Sequence, residues 1–183
     1  MIATPNGLSE AAAGRPPSVL RPRDQHLRGS LGRFATGVAV VTFDRADGTG
    51  GHRGITVNSF TSVSLEPPLV LVSIARTTKA HDEMRGRPFT VNILGAEQEE
   101  LARHFAGGPG REPKWVEGAI APRLSGVLSH LTCTPWAAYD GGDHTLYVGE
   151  VVEFDYRPGD ALGFVNSRFT VIPEYLLGVE ALL

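Results

Sequence analysis

Residues 54–68, reading GITVNSFTSVSLEPP, concentrate six neutral hydrogen-bonding side chains, Thr56, Asn58, Ser59, Thr61, Ser62 and Ser64, with no charge before Glu66. Hydroxyls and amides can donate or accept, so they suit a polar heterocycle whose edge alternates both, as the edge of a flavin ring does. Alternation places Ile55, Val57, Val63 and Leu65 on one face and Thr56, Asn58, Ser62 and Ser64 on the other. That is the period of a half-buried strand, and the break at Ser59 and Phe60 reads as a bulge. The same pattern would serve equally as the solvated face of a sheet.

Arg76, Thr77, Thr78 and Lys79 follow the apolar run 69–75 and precede a helical stretch. Two cations, two hydroxyls and first-turn amides would hold a phosphate well, although a solvated strand-to-helix loop reads the same way. The glycines of a P-loop are missing. A ring site and a phosphate site in consecutive segments together point to a nucleotide-like cofactor. His144 sits beside Asp143 in the glycine turn 141–144, where it can present a donor to a ligand or simply stand exposed. His26, His52, His81, His104 and His130 show no metal-binding spacing, so no metal is assigned. No GxSxG supports hydrolysis, and without GxGxxG a nicotinamide would need a less specific groove. Trp115 and Trp136 could flank that groove, but buried aromatic anchors are the simpler reading.

These groups need a scaffold. At 183 residues the chain fits one domain that buries roughly 70% of its unfolded surface. Its one cysteine, Cys133, excludes an intrachain disulfide, reads as a buried inert strand position and fits a reducing cytoplasm. A net charge of -3 argues against nucleic acid. No apolar run reaches the ~18 residues of a membrane span, and residues 1–23 resemble a flexible tail rather than a secretory signal. The domain is expected over 24–183. Leu27, Leu31 and Phe34 mark the apolar face of a short helix, and a hairpin joins strand 38–43 to the polar run through the turn 47–51. Pro67 and Pro68 end that run, and 69–75, which lacks alternation, predicts a buried central strand. Thr77 or Thr78 caps a short helix ending near Arg85. Residues 89–94 form a strand and 96–105 a helix with Leu101 and Phe105 inward, followed by a mobile loop at 107–113. Strands are expected at 128–134, 136–139 and 145–154. The fold class is mainly β with peripheral helices, a Greek-key barrel.

Several segments in this order, 31–42 (LGRFATGVAVVT), 54–68, 89–94 (FTVNIL), 101–106 (LARHFA), 141–146 (GGDHTL) and 149–151 (GEV), make the chain resemble the short-chain flavin reductases. These serve two-component, flavin-diffusible monooxygenases and have a split β-barrel of the FMN-binding type. The resemblance implies a homodimer that binds FMN or FAD near its interface, takes hydride from NADH or NADPH, and passes reduced flavin to a partner monooxygenase. It also implies that Thr56, Asn58, Ser59 and Ser62 face the ring, that Ser73, Ile74, Ala75 and Lys79 hold the ribityl and phosphate parts, and that His104 and Phe105 approach the cofactor from their helix. His104 stands where the family commonly has arginine. His144 falls in the family's nicotinamide-orienting turn. Two alternatives remain: a split barrel that keeps FMN tightly bound and acts directly on an organic substrate, and a non-catalytic flavin-binding protein.

Overall fold

β-branched residues at period two carry most of the chain into strands. The computed structural model describes residues 22–46 and 50–174. Of the tail expected at 1–23, residues 1–21 lie outside the described residues, as does the centre of the turn expected at 47–51, while 22 and 23 already belong to a helix. Chain order runs α1 (Pro22–Leu31), β1 (Thr36–Gly37), β2 (Ala39–Asp44), β3 (His52–Val57), β4 (Thr61–Leu65), β5 (Pro68–Ala75), α2 (Lys79–Met84) and β6 (Phe89–Ile93). A 3-10 turn at Ala96–Gln98 then leads into α3 (Glu99–Phe105), β7 (Trp115–Val116), β8 (Arg123–Leu124), β9 (Ser129–Gly141), β10 (His144–Tyr156), β11 (Ala161–Val165) and β12 (Arg168–Ile172). Seven strands make one sheet ordered β3-β2-β6-β9-β10-β5-β4, flanked by a three-stranded sheet β1-β11-β12 and a β7-β8 ribbon.

The seven-stranded sheet wraps around its own core. Val41 and Phe43 of β2, Val72 and Ile74 of β5, Phe89 and Val91 of β6 and Cys133 of β9 share one buried cluster, to which α2 adds Ala80 and Met84. Each large side chain buried there contributes about 1.5–3 kcal/mol. The opposite face of β2 is buried too, because Val38 and Val40 pack with Leu94, Leu101, Ala102 and Leu162. Asn92, fully buried on β6, crosses between layers: its amide nitrogen donates to the Val40 carbonyl at 2.9 Å, and its oxygen accepts from the Leu124 amide at 2.8 Å. A buried polar side chain is tolerated because both ends find partners.

Five expectations change. Residues 54–68 form two strands rather than one bulged strand: β3 and β4 are the opposite edges of the sheet, and 58–60 cross between them. Local alternation cannot distinguish these cases, since both halves alternate. β5 lies second from an edge and alternates in burial, so its outer face is shallower than an unbroken apolar run suggests. Strands 128–134 and 136–139 merge into β9. Pro135 is accommodated because the register with β10 slips there, with Pro135 opposite Gly149 and Ala137 opposite Val148, leaving Trp136 as the extra residue. Trp136 is consequently 52% exposed instead of a buried anchor, and Leu27, Leu31 and Phe34 are also exposed, since no element among the described residues covers them. Cys133 is buried as expected, and burial pushes its thiol up to about 12, leaving it inert. Among the described residues no helix is long and apolar enough to cross a membrane.

Candidate functional site

The crossing segment creates the first cleft. Where 58–60 leave β3 and pass β5, a hollow of about 280 Å³ opens, lined by Ile55, Thr56, Val57, Asn58, Ser59, Ser73, Ile74, Ala75, Thr78 and His144. Ser59 fastens the crossing: its hydroxyl donates to the Ser73 carbonyl and accepts from the Ser73 amide, both at 3.0 Å. Thr56 donates to the Ala102 carbonyl at 2.7 Å and so ties β3 to α3. Thr78 does not cap α2 with its side chain, since its hydroxyl donates to the Ala75 carbonyl at 2.8 Å. Asn58 differs from all three. It is exposed, and its amide has no hydrogen bond among the described residues, so it is free to meet a ligand.

His144 is delivered by the β9-β10 turn, which Arg76 clamps against the end of β5. The Arg76 amide donates to the Asp143 carbonyl at 3.0 Å, its Nε to the His144 carbonyl at 3.3 Å, and its guanidinium pairs with Asp140 at 3.1 Å. The His144 Nδ1 lies 2.7 Å from Asp143 Oδ1. That hydrogen bond and the neighbouring imidazole hold the Asp143 carboxyl below the usual carboxylate range, so it remains an acceptor. The Nε2 edge of His144 is left for the cleft.

A second, larger cleft has a volume of about 610 Å³. Arg45, His52, Arg53, Gly54, Lys79, His104, Phe105, Gly107, Glu112, Pro113 and Trp115 line it. Chain neighbours border the two hollows, Ile55 the first and Gly54 the second on β3, and Thr78 the first and Lys79 the second at the entry to α2. Gly54 permits the arrangement: a Cβ there would lie 2.6 Å from Phe105 Cε1. Phe105 is followed by a chain of rings, with Trp115 5.8 Å away and His52 5.0 Å beyond that. His52 is gripped by Asp44 at Nδ1 and Glu117 at Nε2, each at 2.9 Å. Burial lowers the His52 pKa, but the two carboxylates outweigh it and the net shift is upward. Arg53 Nε approaches Glu83 Oε2 at 2.7 Å, although the N–H does not point along the contact and charge alone holds the pair.

Ten of the eleven residues singled out in the sequence line these hollows. Thr56, Asn58, Ser59, Ser73, Ile74, Ala75 and His144 gather at the first, and Lys79, His104 and Phe105 at the second. Ser62 does not join them. It sits exposed on β4 opposite Val70, on the edge reached after the crossing, and lines neither hollow. Sequence reasoning missed His52, Gly54 and the role of Trp115. Counting back from Thr56 in steps of two along β3 would have reached the first two, since alternate residues share a face.

Residues 31–173 match the family described as flavin reductase like domain. The chain belongs to that family. It is 43% identical over 150 residues to an NADH-dependent flavin reductase of a Rhodococcus species, covering 79% of this chain and 84% of the relative. To the reductase component of a 4-nitrophenol 4-monooxygenase/4-nitrocatechol 2-monooxygenase from Rhodococcus opacus it is 38% identical over 159 residues, covering 83% of each. The solved flavin reductase PheA2 superposes with a TM-score of 0.77 at 33% identity, covering 82% of this chain and 99% of that one. The mainly β split-barrel architecture is therefore that of a flavin reductase. A flavin suits the residues present, because the first cleft offers neutral polar groups with an unpaired amide at Asn58, and the exposed cation Lys79 follows Thr78 of that cleft in the chain.

Proposed function

We propose that this protein uses NADH to reduce a flavin and releases the product to a separate flavin-dependent monooxygenase. The observation that carries the reading is the neutral cleft between β3 and β5, with the free Asn58 amide on one wall and His144 at another. Bound flavin supplies the chemistry: NADH, a proton and oxidised flavin become NAD⁺ and reduced flavin. The chain's own residues bind and align. Asn58 meets the polar edge of the ring, and Ser59, spent on Ser73, fixes the wall that carries Asn58. Ser73, Ile74 and Ala75 border the ribityl part, and Lys79 neutralises phosphate. His144, oriented by Asp143, holds the nicotinamide so that its hydride-donating carbon faces the accepting nitrogen of the flavin. No protein nucleophile is required.

We also assign the chain to a homodimer. Leu65 on β4 is 93% exposed, Phe154 on β10 68% and Phe34 after α1 77%, more large apolar surface than a lone domain usually presents. A reducing cytoplasm fits both the lone buried thiol and the supply of NADH. The test is steady-state oxidation of NADH and of NADPH with FMN, FAD or riboflavin added. Turnover should require added flavin and favour NADH, and reduced flavin should pass through a dialysis membrane. NADH oxidation absent with every flavin would overturn the reading, and a flavin retained through dialysis would replace it with that of a tightly bound FMN enzyme.

A further inference from the structure

We infer that His81 is a positioning residue for hydride transfer: its imidazole, fixed to Thr145, sets the spacing between the helix that carries Lys79 and the strand that carries His144. The inference rests on the function proposed above for those two side chains and names what holds them in register. Each of the two stands at the start of its element, Lys79 at the first position of α2 and His144 at the first of β10. The His81 Nε2 lies 2.9 Å from the Thr145 hydroxyl, and its Nδ1 lies 2.8 Å from Asp82 Oδ1. With both ring nitrogens engaged, the ring cannot turn without giving up a hydrogen bond. The side chain is only 15% exposed, so the contact with Thr145 is sheltered from water.

Location separates this role from attack on a ligand and from packing. Asp82, His81 and Thr145 follow one another in the order of a hydrolytic triad, but a nucleophile must stand at a ligand site and Thr145 lines neither hollow. His81 lines neither hollow as well, so the bond acts only through its neighbours in the chain. His81 comes two residues after Lys79, and Thr145 directly follows His144. Arg76 ties the turn to the end of β5 through the Asp143 and His144 carbonyls, and His81 adds the tie to α2. The helix itself is anchored without this imidazole. Ala80 and Met84 are buried in the core, and the Tyr147 hydroxyl donates to the His81 carbonyl at 2.8 Å, a bond to backbone that any side chain at this position leaves in place. What the imidazole adds is the register of His144 against Lys79. Reacting atoms must approach to about 3–3.5 Å, and a misplacement of ~1 Å caused far from the chemistry can lower a rate by about a hundredfold.

Anaerobic stopped-flow mixing of NADH with the protein saturated with FMN or FAD, read by bleaching of the flavin, tests the idea on the unaltered chain and on His81→Ala, His81→Gln, His81→Asn and Thr145→Val. His81→Ala should slow hydride transfer at saturating NADH about tenfold, while KM for NADH and the flavin dissociation constant stay within about twofold because each ligand keeps its own contacts. His81→Gln places an amide where Nε2 stands and should restore most of the rate; His81→Asn stops short of Thr145 and should not. Thr145→Val should reproduce the loss, and His81→Ala combined with Thr145→Val should be no slower than either alone, as expected for two halves of one contact. Rates that merely followed the urea midpoints of the variants, with no difference between His81→Gln and His81→Asn, would overturn the inference. So would an unchanged rate in His81→Ala, additive losses in the double variant, or a loss of flavin affinity as large as the loss of rate. Absence of bleaching in the unaltered protein would overturn the reductase reading together with the inference, whereas normal bleaching in every variant overturns the inference alone.

Discussion

Single side chains in this molecule divide between those spent on the fold and those left for a ligand. Thr56, Ser59 and Thr78 look equivalent to Asn58 as sequence, yet their hydroxyls are committed to Ala102, Ser73 and Ala75, and Asn58 alone keeps its polar atoms free. His144 is likewise only half used, with Nδ1 on Asp143. Replacing it, His144→Ala, should raise KM for NADH roughly tenfold, the effect of one lost orienting hydrogen bond, with little change in flavin affinity. Equal loss of both, measured by steady-state kinetics beside flavin titration, would remove His144 from nicotinamide binding. Two other histidines set the pH dependence of stability, with opposite signs. The pKa of His52 is raised above 6.5 by Asp44 and Glu117, so its stabilisation is complete below 6.5 and is lost as pH rises through the folded value. His130 is lowered by burial, and then by Arg123, and its Nε2 lacks a hydrogen bond. The unfolded chain protonates first at that site, so stability falls as pH drops from 6.5 toward the folded value. Urea midpoints should therefore peak near 6.5, and His52→Gln should flatten the alkaline limb only.

At the scale of elements, β3 does more than its six residues suggest. Its inward side chains close the core, its outward face carries α3 and its end starts the crossing. Gly54 is the contact point with Phe105. Gly54→Val should force that ring aside, cost about 1–3 kcal/mol by overpacking and disturb the larger cleft more than the smaller. Urea unfolding gives the first quantity and flavin titration beside steady-state NADH kinetics the second; unchanged stability would show that Phe105 yields freely. Much of this was legible in the sequence. The hairpin before β3, helix 96–105 and the paired glycines at 141–142 were all readable because local periodicity and turn chemistry set them. The split of 54–68 into two edge strands was not, because alternation reports which face a residue takes and says nothing about which neighbour its strand pairs with. Ser62 was misplaced for that reason: it continues the polar face in sequence but lies beyond the crossing in space.

For the whole molecule, the exposed apolar residues are the feature that one chain does not resolve. Leu27 and Leu31 on α1, Val63 and Leu65 on β4, and Val152 and Phe154 on β10 all face outward. Light scattering should give twice the 19.6 kDa chain mass, and Leu65→Glu combined with Phe154→Glu should shift it to the single-chain value. A single-chain mass in the unaltered protein would oppose the dimer. By itself, the sequence determined the strand-rich class, the family and ten of the residues that line the clefts, because these follow from side-chain type and short-range order. Tertiary structure alone decided that β3 and β4 stand at opposite edges, that two hollows rather than one run beside them, and that Trp115 faces a cleft while Trp136 stands in the open. Those outcomes depend on how the sheet wraps and where its registers slip, and long-range pairing of that kind leaves no local mark on the chain.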